Sequence, residues 1–151
     1  MTVFAISFVA HNHTSNRFSP FTWTSGCLAG LVGITGCCNV IDPHIALFIG
    51  VLSGAIYFAI NRALANAQID DPVDAIPIHF GIGLSGTIFT GLFHKRKYYY
   101  FKVKDLGLFT VGAGHLLGVQ LLGILCIVVW VAGFAFIFAF LLKVLGLLKA
   151  H

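Results

Sequence analysis

His79 is the residue in this 151-residue chain best placed to do chemistry. It is a titratable group set well inside an apolar span. An ionisable side chain in a membrane helix is costly, so it faces the bundle interior or a water-filled path rather than lipid. On a helix, its face also collects Ala75, Gly83, Gly86 and Thr90, at offsets of minus four, plus four, plus seven and plus eleven. That stripe is small and polar. A neutral imidazole offers one donor and one acceptor nitrogen, which suits a proton relay or contact with a small polar solute, and transport is the default reading. The same spacing also fits a neutral ring satisfied by one hydrogen bond in a packed core. Just ahead of it, Asp71 can cap a new helix, Pro72 fits the first helical position and Asp74 falls three residues after the cap.

The other reactive side chains carry less. Cys27, Cys37, Cys38 and Cys126 lie in or beside apolar runs, without the C-x-x-C pairs or accompanying histidine spacing of a zinc site, and read as small packing residues. His11 and His13 stand near the amino terminus without further ligands. His44, His94, His115 and His151 fall near the ends of apolar runs. No metal and no cofactor is expected. Asn12-His13-Thr14 is a glycosylation sequon, of consequence only if that end faces a lumen. Residues 1–10 are apolar but lack a basic n-region and a cleavage site, and are too short to span a bilayer.

The elements that must position His79 are membrane helices. Hydrophobic residues make up 58% of the chain and charged residues 9%, with a mean hydropathy of +0.95; a soluble enzyme with a water-filled cleft is thereby excluded. The net charge of +4 does not point to nucleic acid. Five of the basic residues crowd into 95–104 beside Tyr98, Tyr99, Tyr100 and Phe101, a composition suited to the headgroup region.

Apolar runs cover residues 21–41, 44–64, a stretch from the Asp71–Pro72 start to about residue 93, and 111–148. Gly26, Gly30, Gly33 and Gly36 share a face of the first run, where small residues let a neighbouring backbone approach closely. Asp42-Pro43 breaks the first run from the second, residues 61–74 form a polar connection, and Pro77 removes an amide hydrogen bond from the third helix. The last run is longer than the hydrocarbon core is thick and should tilt or extend past an interface. The expected fold is all-α: a polytopic membrane helical bundle of about four transmembrane helices. Its membrane domain covers residues 21–148, after an unmatched segment 1–20 and before a short tail 149–151.

Asp70-Asp71-Pro72-Val73-Asp74-Ala75-Ile76-Pro77-Ile78-His79, followed by Gly83, Gly86 and Thr90-Gly91-Leu92-Phe93, closely resembles the signature of the Amt/Rh ammonium transporters. That family reads D-D-P-x-D/E-x-x-x-x-H-G-x-x-G-x-x-G and then a T-G-L-F-like end. Ala29-Gly30-Leu31-Val32-Gly33-Ile34-Thr35 and Gly118-Val119-Gln120-Leu121-Leu122-Gly123 are similar to the family's eighth and eleventh transmembrane helices. The resemblance covers residues 26–148, the last four spans. The residue after the histidine is Phe80 where the family has glycine, with Gly81 next to it.

The resemblance implies an eleven-span, channel-like fold, normally a trimer with one pore per subunit, in which two inverted halves each contribute a pore histidine. His79 matches the second of these, and Ala75 matches a pore-lining position one turn earlier. Asp71 and Asp74 match the acidic positions at the start of the helix, with capping as the alternative role, while Gly83 and Gly86 match packing glycines. The implied function is transport of ammonium or ammonia by a partial ammonium transporter fold. The implied partners are the permeating species, the lipid bilayer, and a family-type trimer or the missing N-terminal half. The implied location is integral and multi-pass, in the plasma membrane.

No chemical reaction on a substrate is implied. A partial gene model or truncated gene copy would give such a chain. The rival reading is a transport-inactive membrane fragment that packs with, or modulates, full-length transporter trimers; another is an independent proton-conducting bundle. The family orientation puts loop 61–74 in the cytoplasm and the basic loop 95–104 outside, whereas the positive-inside rule prefers the reverse.

Overall fold

The computed structural model describes residues 20–95, 107–111 and 114–147. The amino-terminal histidines and sequon, the basic aromatic segment 96–106 and the final residues 148–151 lie outside them. The described chain is helical: α1 over Pro20–Thr35, α2 over Pro43–Asn66, a π-helical segment over Ile76–Ile82 continued by α3 over Gly83–Phe93, a single turn α4 over Leu108–Val111, and α5 over His115–Val144. Among the described residues, three spans are long and apolar enough to cross a membrane: Pro43–Asn66, Ile76–Phe93 and His115–Val144.

The first helix is shorter than the first apolar run. At about 1.5 Å per residue its 16 residues rise about 24 Å, less than the roughly 30 Å of a hydrocarbon core. The chain turns over residues 36–40, where the Cys37 and Val40 amides donate to carbonyls three residues back, Ile34 and Cys37. Gly36, at the break, is a poor helix residue. Pro43 opens α2 as its sequence signal predicts, but Asp42 does not cap with its side chain. Its carboxylate instead takes the Lys95 ammonium at 2.7 Å, and the Lys95 amide donates to the Val40 carbonyl. These contacts tie the end of α3 to the α1–α2 connection.

Residues 61–66, expected in a polar connection, extend α2 to Asn66. The helix then ends in a motif that satisfies its last carbonyls: the Gln68 amide donates to Ala65 and the Ile69 amide to Leu64. The turn requires a left-handed residue, and Gln68 takes it at φ 56°. The same motif closes α5, where the left-handed position is Gly146 at φ 68°. Glycine accepts that geometry without steric cost.

Helices α1 and α2 form a hairpin that cradles the π-helical segment and α3, and α5 packs on the far side of α3. Close approach at glycine makes these contacts possible, because lipid supplies no hydrophobic drive between helices. A Cβ on Gly86 would lie 2.9 Å from the Gly33 carbonyl oxygen, and one on Gly91 the same distance from the Leu117 Cα on α5. Gly33 in turn sits against the fully buried Ser53 of α2. Two apolar clusters flank this crossing: Cys37, Val40, Ile41, Ile49 and Phe89 at one end, and Ala29, Tyr57, Ile78 and Ile82 at the other.

Helix α5 has no buried residue; its 30 residues rise about 45 Å, so it must tilt or extend past an interface. Replacing Gly86 with valine should force α1 and α3 apart and destabilise the bundle by about 1–3 kcal/mol. Gly83→Ala, with nothing within 4 Å of the new methyl, should leave thermal unfolding of the detergent-solubilised chain unchanged.

Candidate functional site

The approach to His79 begins with a turn rather than a helix. The Asp74 amide donates to the Asp71 carbonyl at 3.2 Å, closing a four-residue turn with aspartate first and proline second, the positions those residues favour. Helical structure starts at Ala75, three residues later than the Pro72 start that the signature implies. Asp71 reaches across that gap. Its two carboxylate oxygens accept from the Ala75 amide at 2.9 Å and the Ile76 amide at 2.7 Å, satisfying donors that a helix start otherwise leaves orphaned.

Asp74 does not complete a capping box. It adopts a left-handed backbone conformation, φ 54°, rare for a residue with a Cβ, and its side chain turns towards α2. There the Tyr57 hydroxyl donates to Oδ2 at 2.6 Å and the Asn61 amide nitrogen donates to Oδ1 at 2.7 Å. Asp74 is only 6% exposed and Tyr57 only 2%. Sequence reasoning missed both partners on α2. The available signal was a tyrosine and an asparagine four residues apart on one helix face, polar groups in an otherwise apolar stretch.

His79 occupies the middle of the π-helical segment Ile76–Ile82. Pro77 has no amide to donate, so the regular ladder cannot form there, and a wider turn is the outcome. The wide turn also breaks the helical period on which the small-residue stripe was built. Pro77, Ile78, Gly81 and Ile82 face inward, while His79 and Phe80 are exposed and Ala75 is half-buried.

A methyl placed on Gly83 would meet nothing within 4 Å, whereas Gly86 is buried against Gly33 and the Thr90 hydroxyl donates to the Gly86 carbonyl. The five residues of the expected stripe thus divide. Ala75, His79 and Gly83 lie towards an open side, and Gly86 and Thr90 lie towards α1. Among the described residues no three histidine, cysteine, aspartate or glutamate side chains gather as a metal site. The arrangement offers an imidazole held on a braced, irregular turn, with small residues one turn to either side.

Among known proteins, the sequence profile of the Ammonium Transporter Family matches this chain over residues 1–151. Ammonium transporter 1 member 1 of Arabidopsis thaliana is 37% identical over 130 residues, covering 83% of this chain and 26% of that protein. Ammonium transporter 1 member 2 of Oryza sativa subsp. japonica is 36% identical over 129 residues, with the same shares. Ammonium transporter 1 member 1 of the same rice is 37% identical over 128 residues, again covering 83% and 26%. The chain spans about a quarter of the length of the curated relatives it matches. No solved structure matches it.

Asp71→Ala should remove the acceptor of two amides and speed hydrogen exchange at Ala75 and Ile76 by about tenfold, equivalent to about 1.4 kcal/mol. Asp71→Asn, which keeps one acceptor oxygen, should show a smaller change.

Proposed function

The chain belongs to the Ammonium Transporter Family, and from that premise we propose that it works in moving ammonium or ammonia across a membrane, with His79 as the side chain that meets the permeating species. The observation that carries the reading is the placement of His79: exposed on a π-helical turn, with half-buried Ala75 before it and the open Gly83 after it. An imidazole on a lipid-facing wall would be costly, so this open side is the face a further helical layer would cover, leaving a narrow path along the ring. Bare ammonium entering low dielectric loses its hydration at high cost, whereas ammonia does not. A ring with one donor and one acceptor nitrogen can take up a proton or hand it on along such a path. The remaining layer is supplied by the family's other helices or by a trimer, and the membrane is the plasma membrane.

A second reading has its own support. Helix α5 buries none of its residues, and Gly30 and Gly50 are open as well, so much apolar surface is available for packing onto a full-length relative. In this reading the chain alters the relative's trimers without conducting.

The two separate in one experiment. In cells lacking ammonium uptake, the chain is co-expressed with the preceding three quarters of a plant relative. Restored uptake that falls at least tenfold in His79→Ala, at equal membrane abundance, is the expected result. Uptake indifferent to that substitution overturns the assignment of His79. Lowered uptake when the chain joins an intact relative supports the second reading.

A further inference from the structure

We propose that Tyr57 and Asn61 are positioning residues for His79, acting through the carboxylate of Asp74; the functional meaning of that position rests on the transport reading above. Tyr57 and Asn61 stand four residues apart on one face of α2. Each donates to a different oxygen of the same carboxylate, at 2.6 and 2.7 Å. A buried carboxylate needs such donors to be tolerated at all, and hydrogen bonds to an ionised acceptor are short and strong. No Lys or Arg side chain is paired with Asp74 among the described contacts.

The clasp acts on the backbone as well as the side chain. Asp74 sits at φ 54°, a conformation that costs a residue with a Cβ about 1–2 kcal/mol. It persists where the surroundings over-determine it. The Asp74 carbonyl accepts from the Ile78 amide at 3.1 Å, so the same residue that α2 grips also anchors the first turn of the π-helical segment. The Tyr57 ring packs with Ile78 and Ile82 on the inward side of that segment. Tyr57 therefore fixes the start of the turn with its hydroxyl and the inner wall with its ring. His79 follows Ile78 directly, and its outward direction depends on where this turn begins.

Releasing Asp74 would let its backbone relax out of the left-handed region. The start of the π-helical segment would then shift, and the imidazole would swing with it. Relay groups tolerate little misplacement, since a displacement of about 1 Å can cost on the order of a hundredfold in rate.

The test uses Tyr57→Phe, which keeps the packed ring and removes the hydroxyl, Asn61→Leu, Asp74→Asn, and each of the first two combined with the third. The full chain, in lipid vesicles, is treated with diethyl pyrocarbonate, and modification of His79 is followed by mass spectrometry. The expected result is at least a threefold change in the His79 modification rate in Tyr57→Phe and in Asn61→Leu, with no further change when either is added to Asp74→Asn. Ile49→Val, a core change at the other end of the bundle, should leave that rate unaltered, which separates positioning from general destabilisation. In the co-expression assay, Tyr57→Phe should lower maximal uptake at least fivefold while the half-saturating concentration changes less than twofold.

If Tyr57→Phe does not accumulate, Asn61→Leu carries the same readouts. Unchanged His79 modification in the accumulating variants, or full additivity with Asp74→Asn, overturns the proposal even where His79→Ala abolishes uptake. A changed modification rate together with uptake indifferent to His79→Ala upholds the positioning and removes the transport reading instead.

Discussion

A carboxylate enclosed among apolar helices must be hydrogen-bonded or it opposes folding by several kcal/mol. Asp74 meets that requirement through two side chains of α2, and the rest of the site follows from how it is met. Because the side chain is drawn towards Tyr57 and Asn61, the backbone turns left-handed and the helix cannot start at Pro72. Asp71 is then free to satisfy the first two amides of the helical segment from a distance. Two aspartates three residues apart thus take different tasks, one binding helix to helix and the other closing a helix end. Proline at position 77 adds the third constraint, since the missing amide is absorbed by a π-helical turn centred on His79.

Glycine supplies what lipid does not. In a bilayer, apolar side chains gain little by leaving acyl chains for one another, so association depends on contact distance and shape. Gly33 against Gly86 and Gly91 against Leu117 bring backbones together on the two sides of α3. The braced turn is thereby held between α2 and α1, while α5 packs on α3 further along. The open glycines behave differently: Gly30, Gly50 and Gly83 meet nothing within 4 Å, and they leave surface for neighbours the described residues do not include. Between Gln120 and Lys143 the outer surface of α5 is apolar, as a helix next to lipid or to another membrane helix must be.

Much of this was legible in the sequence. The all-helical membrane character follows from composition and run length, and the family from the ordered spacing of Asp70, Asp71, Pro72, Asp74, His79, Gly83 and Gly86. The Asp42–Pro43 break falls where α2 begins. Boundaries were less accessible. The first helix stops at Thr35 because residues 36–40 turn, and α2 runs on to Asn66 because Arg62, Ala63, Leu64 and Ala65 are good helix formers that continue past an apolar span. The stripe through Ala75, His79, Gly83, Gly86 and Thr90 assumed a constant helical period, and the wide turn divides it.

The sequence by itself determined which residue types were available near His79 and in what order, since hydropathy, proline and paired aspartates act locally and leave a readable trace. Only the tertiary structure decided which side of the helix His79 occupies, which glycines are filled by a neighbour, and that Asp74 belongs to α2 rather than to its own helix. Those outcomes arise from contacts between segments distant in sequence: Asn61 and Tyr57 with Asp74, 13 and 17 positions apart, and Gly33 with Gly86 and Gly91 with Leu117, further apart still. A periodic reading of one segment has no access to the free energy of burying a charge against another.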